Sequence, residues 1–104
     1  MTRLLVHGGT VFDGRGGDGV VADVLVEDGR VVRVAPSIVA GDVQRIDAKG
    51  AWVTPGFVDL HTHYDAELEI RPGLDESVRH GVTTVVVGSC GLSMAVGRPV
   101  DRCV

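Results

Sequence analysis

Lysine is nearly missing from this 104-residue chain, where Lys49 stands alone, and the formal net charge is −4. Nucleic acids and anionic membrane surfaces both select clustered cations. With no basic block, neither is an expected partner. Aromatic residues are scarce as well: one Trp, one Tyr and two Phe. The two cysteines, Cys90 and Cys103, would pair only in an oxidising compartment, and nothing in the sequence suggests that they do. No apolar run approaches the about 20 residues of a membrane-spanning helix. The three apolar residues before His7 fall far short of the about 7–15 of a secretory core. A soluble, cytoplasmic protein is expected.

What is abundant is Val and Gly, with hydrophobic residues at 44%. That is enough to bury a core, and the length suits one small domain or a piece of a larger one. Val favours strands and Gly favours turns, so residues 1–54 read as an all-β part. Runs at 4–6 and 11–12 flank Gly8-Gly9, which predicts a tight connection. Runs at 20–26 and 31–34 flank Asp28-Gly29, a strong hairpin signal. Two further short runs lie at 43–46 and 51–53. Gly14, Gly16, Gly17 and Gly19 mark a loose loop. A phosphate cradle is not expected there, because no G-x-x-x-x-G-K-[ST] pattern occurs and no helix pattern follows.

The texture changes at Pro55-Gly56. Residues 57–63 read as a strand, followed by a loop. A short helix is predicted over 72–81, with Pro72 in its first turn, Asp75 and Glu76 near the positive end, and Gly81 at the left-handed cap. Residues 82–87 are almost continuously β-branched, as in a strand buried on both faces. Strand, helix and strand over 57–88 match one βαβ unit.

His61 and His63 stand two apart on the predicted strand, so their imidazoles share a face with Phe57 and Asp59. Cys90 follows the second strand. If the two strands are adjacent and parallel, their ends lie about 5 Å apart and Cys90 approaches the histidine pair. Two imidazoles and a thiolate suit zinc. Blander readings exist for each residue. A strand pair of histidines can simply be hydrogen-bonded, and a lone cysteine is often a small buried hydrophobe. Asp59 reads as an orienting carboxylate, Asp65 as a solvated loop residue, His80 as a helix C-cap and His7 as an exposed strand residue.

The stretch Val53-Thr54-Pro55-Gly56-Phe57-Val58-Asp59-Leu60-His61-Thr62-His63 resembles the signature P-G-x-[IV]-D-x-H-x-H of the amidohydrolase superfamily. Residues 22–32 resemble the small β-domain that precedes its barrel. With His63-Tyr64-Asp65 and the glycine-flanked Cys90, the sequence is most similar to the D-aminoacylase (N-acyl-D-amino-acid deacylase) branch.

That resemblance implies α/β architecture with an all-β N-terminal part, the start of a composite β-sandwich plus metal-dependent (β/α)8 barrel hydrolase. Residues 1–54 would belong to the β-sandwich domain and 55–104 would form the first βαβ unit of the barrel, truncated after its second strand. It implies His61, His63 and Cys90 as metal ligands, Zn2+ as cofactor and an N-acyl amino acid as small-molecule substrate. The later histidine ligands and the catalytic aspartate of the family have no counterpart here. The chain is therefore expected to be an incomplete and inactive portion, with no catalytic residue of its own. The nearest rival reading is a cyclic-amide hydrolase, such as a hydantoinase or dihydroorotase. A cysteine hydrolase with Cys90 as nucleophile and a non-catalytic remnant are rivals from other classes.

Overall fold

The computed structural model describes residues 2–91. The chain divides into two compact units, with the boundary between Pro55 and Gly56. The first holds strands β1 (Arg3–Val11), β2 (Val20–Glu27), β3 (Arg30–Ala35), β4 (Gln44–Asp47) and β5 (Trp52–Val53). They form one mixed sheet in the order β3-β2-β1-β4, with β5 also pairing β1. β1 runs antiparallel to β2 but parallel to β4 and β5. The expected hairpin between β2 and β3 is present, with Glu27 opposite Arg30. Its two central residues, Asp28 (φ 47°) and Gly29 (φ 78°), both take positive φ. That is the mirror-image turn whose twist matches the flanking strands, and Asp-Gly is the dipeptide that tolerates it.

The Gly8-Gly9 connection predicted from the sequence does not form a turn. β1 continues straight through it as one strand of nine residues. The glycines instead permit a β-bulge, where the register passes from Val6↔Val24 to Gly9↔Ala22. His7 and Gly8 therefore oppose the single residue Asp23, and Gly8 absorbs the kink at φ 71°. Asp23 fills that bulge and is 1% exposed. Its Oδ1 accepts from the Gly8 N–H at 2.9 Å and lies 2.9 Å from His7 Nδ1, while Oδ2 accepts from the Ile38 N–H at 2.9 Å. An ionised carboxylate only accepts, so His7 carries its proton on Nδ1. His7 is thus a partner of Asp23 rather than a merely exposed strand residue. The Ile38 N–H, above all, holds the Asp23 carboxyl below the ordinary carboxylate range. The Gly8 N–H and His7 add to this, against the opposing effect of desolvation.

Leu5 and Leu25 are direct cross-strand partners and therefore share a face. With Ile38 and Ala40 they form the core of the first unit, flanked by Ala35 and Val43. The Ile38 N–H that binds Asp23 belongs to this same core residue, so the polar anchor and the apolar cluster position the 36–43 segment together.

The second unit contains β6 (Phe57–Asp59), α1 (Tyr64–Ile70), α2 (Glu76–Arg79) and β7 (Val82–Val85). β6 and β7 pair in parallel, as the βαβ reading requires. Four details differ from the sequence reading. β6 ends at Asp59 instead of residue 63, because Asp59 Oδ1 accepts the His61 N–H at 3.0 Å and turns the chain. The loop expected after residue 63 contains the seven-residue helix α1, with His63 at its N-cap and Asp65 and Glu67 in its first turn. The helix predicted over 72–81 is one turn, α2, closed by Gly81 at φ 81°. β7 is also shorter than expected and is not buried on both faces. Thr83 and Thr84 are exposed, and Val86 and Val87 beyond it are 40% and 51% exposed. Among the described residues β7 pairs only with β6, so no strand bonds its other edge there.

Two outcomes follow from the first unit. Replacing fully buried Leu5 by Ala should cost about 2–5 kcal/mol in urea unfolding. Asp23→Asn should lower the melting temperature at pH 7, where the ionised carboxylate serves all three donors. A carboxyl with a depressed folded-state pKa stabilises above its unfolded pKa and loses that contribution as pH falls through the folded value. The gap between parent and Asp23→Asn should therefore close in acid, below about pH 4, as followed by circular dichroism melts.

Candidate metal centre

The parallel pairing of β6 with β7 brings two loop segments, 60–63 and 86–91, out of the same end of the sheet. The last backbone rung is the Val86 N–H to Asp59 O bond at 2.8 Å. Beyond it, side chains continue the connection. Thr62 Oγ1 donates to the Val86 carbonyl at 2.9 Å, and Ser89 Oγ donates to the Leu60 carbonyl at 2.7 Å. Asp59 holds His61 through the backbone N–H, so its role is to shape the loop rather than to orient an imidazole.

The result is a convergence of three donors. One ring nitrogen each of His61 and His63, and Sγ of Cys90, all lie within 4.8 Å of one another. The two rings stand 5.5 Å apart between centroids, tilted by 58°. Both imidazoles are exposed, while Cys90 is half-buried and carries a free thiol. A tetrahedral zinc ion, with bonds of about 2.0–2.1 Å to nitrogen and 2.3 Å to sulfur, holds its donors about 3.3–3.6 Å apart. The 4.8 Å limit on the observed separations exceeds that by little more than about an ångström, which small rotations of two exposed imidazoles can close. The donor set and its spacing therefore fit such an ion, with a coordination position left over.

The other candidates lie elsewhere. His80 caps α2 with Nε2 3.2 Å from Glu76 Oε1, and His7 is committed to Asp23 in the first unit. Asp65 sits in the first turn of α1 instead of in a loop, and is half-buried. Cys103 lies outside the described residues. Thr62 and Ser89 were not singled out by sequence reasoning. Their signal was available, since each is a hydroxyl residue directly beside a candidate ligand.

This arrangement, a β-rich unit followed by a β-α-β unit with H-x-H after the first strand and a cysteine after the second, groups three donor atoms that could hold a metal ion. Residues 44–103 match the Amidohydrolase family, and the chain belongs to that family. It is 42% identical over 92 residues to an N-acyl-D-aspartate deacylase of Alcaligenes xylosoxydans xylosoxydans, covering 88% of this chain and 18% of that protein. It is also 42% identical over 89 residues to a dihydroorotase of Streptococcus thermophilus, covering 81% of this chain and 21% of the relative. Among solved structures it resembles the N-acyl-D-glutamate deacylase of Bordetella bronchiseptica, crystallised with zinc and a phosphonate inhibitor that mimics the tetrahedral intermediate. That match has a TM-score of 0.79 at 39% identity, over 88% of this chain and 19% of the deacylase. The chain spans about one fifth of the length of each of these relatives. No helix among the described residues is long and apolar enough to cross a membrane.

Proposed function

We propose that this chain contributes His61, His63 and Cys90 to the metal centre of a zinc-dependent amidohydrolase that cleaves the linear amide of N-acyl-D-amino acids. The observation that carries the reading is the convergence of those three donors within 4.8 Å. The deacylase relatives, one of them with zinc and a tetrahedral-intermediate mimic bound, point to the same chemistry. When bound, zinc polarises a carbonyl and lowers the pKa of a coordinated water to about 7. The chain's own part is to present two neutral imidazoles, and a thiol that gives up its proton on binding. No catalytic acid or base is assigned within this chain. In this reading β6 and β7 are the first two strands of a (β/α)8 barrel. Its further strands and helices would cover Phe57, Val58 and Leu60, which are 63%, 57% and 68% exposed.

The second reading is hydrolysis of a cyclic amide, supported by the dihydroorotase relative. Cys90 favours the linear amide, because a second-strand cysteine ligand is the mark of the deacylase branch that the sequence resembles.

Competition with a chromophoric chelator tests the centre directly. The purified chain should bind zinc, more weakly than a structural site with four protein ligands, and His61→Ala/His63→Ala should abolish that binding. On a Cys103→Ser background, bound zinc should slow alkylation of Cys90. Identical zinc binding in the double-alanine variant, with alkylation indifferent to zinc, would remove the metal assignment and favour Cys90 as a nucleophile.

A further inference from the structure

We infer that Thr62 and Ser89 are positioning residues for the metal centre, a two-hydroxyl clasp that locks the histidine loop to the cysteine loop. The inference rests on the ligand assignment proposed above and adds two residues to it. Backbone pairing between β6 and β7 stops at Asp59 and Val85, with one further rung from Val86 N to Asp59 O. From there the candidate ligands lie on loops, which no ladder holds. Among the described residues, the hydrogen bonds between those loops beyond that rung come from the two hydroxyls. Thr62 sits between His61 and His63 and donates to the Val86 carbonyl. Ser89 immediately precedes Cys90 and donates to the Leu60 carbonyl, beside His61. The two bonds run in opposite directions, one from each loop, so neither loop can slide along the other without breaking one of them. Each hydroxyl thus takes over the work of a backbone donor where the strands have ended.

The burial of Thr62 supports this role. It is 7% exposed, whereas Val58 and Leu60 before it are 57% and 68% exposed. A polar side chain turned inward while apolar neighbours face out is held there by its hydrogen bond, since a buried hydroxyl without a partner is costly. Placing the ligands within reach of one ion depends on the backbone that carries them, and residues supporting metal ligands typically matter by 10–100-fold in affinity.

Cobalt(II) is the probe, titrated into the 104-residue chain carrying Cys103→Ser. Its sulfur-to-metal charge-transfer band reports Cys90 separately from the visible bands that report the ion's overall geometry. Ser89→Ala and Thr62→Val should each weaken cobalt affinity by about tenfold or more. Both should lower the charge-transfer band relative to the visible bands, because the cysteine loop drifts from the histidines. Thr62→Ser keeps the hydroxyl and should retain the parent's affinity and band ratio. Parent affinity and band ratio in Ser89→Ala would overturn the clasp, as would equal losses in Thr62→Ser and Thr62→Val. Ser89 is exposed, so its substitution decides the matter even where Thr62→Val fails to fold. Cobalt binding that is unchanged in His61→Ala would instead strike at the metal centre itself, a result distinct from failure of the clasp alone.

Discussion

The parallel pairing of β6 with β7 is the constraint on which the candidate centre depends. His61 and Cys90 are 29 residues apart in the sequence, and only the alignment of Asp59 with Val85 brings their loops to one end of one sheet. A parallel pair sends both chains out in the same direction, so both loops emerge together. An antiparallel pair would have sent them to opposite ends. The connection through α1 and α2 is what makes the parallel arrangement possible, since parallel strands need a crossover and cannot be joined by a tight turn.

A similar economy of anchoring appears in the first unit. Asp23 is a charge taken out of water, which is tolerable only when its oxygens are satisfied. Here one oxygen serves a bulge in β1 and the other serves the backbone of Ile38, a core residue. One carboxylate therefore specifies a strand irregularity and the path of a loop at once. In both units the side chains of Asp, Thr or Ser take over where the regular ladder is interrupted, at the Asp23 bulge and beyond the Asp59–Val85 rung.

The parts of the fold that were legible in the sequence are those set by local chemistry. Asp28-Gly29 specifies its turn because few other dipeptides accept two positive φ values, and Gly81 closes α2 for a related reason. The parallel pairing was inferable from the βαβ spacing, and the proximity of Cys90 to the histidines followed from it. Gly8-Gly9 misled because a glycine with positive φ serves a bulge as well as a turn. Only the partner residue Asp23, across the sheet, distinguishes the two. α1 was missed because Tyr64-Asp65-Ala66-Glu67-Leu68 lacks a conventional capping residue, with His63 at the N-cap making no side-chain bond there. The burial expected of β7 depends on neighbours in space, which a run of valines and threonines implies but does not identify.

The shortening of β6 bears on the chemistry itself. On an extended strand, residues two apart rise by about 6.6 Å, with side chains projecting side by side. The histidines do not sit on such a strand. Asp59 accepts the His61 N–H, the chain leaves the extended form, and His63 already caps a helix. The imidazoles consequently stand 5.5 Å apart with their planes at 58° instead of ranked along a pleat. Convergence on a single point is what a metal ion requires of its donors, and curvature supplies part of that convergence in the backbone, before any ion is bound. Asp59 thus acts through the main chain at the point where the strand ends. The chemistry that H-x-H suggests belongs to the bend after the strand as much as to the two histidines.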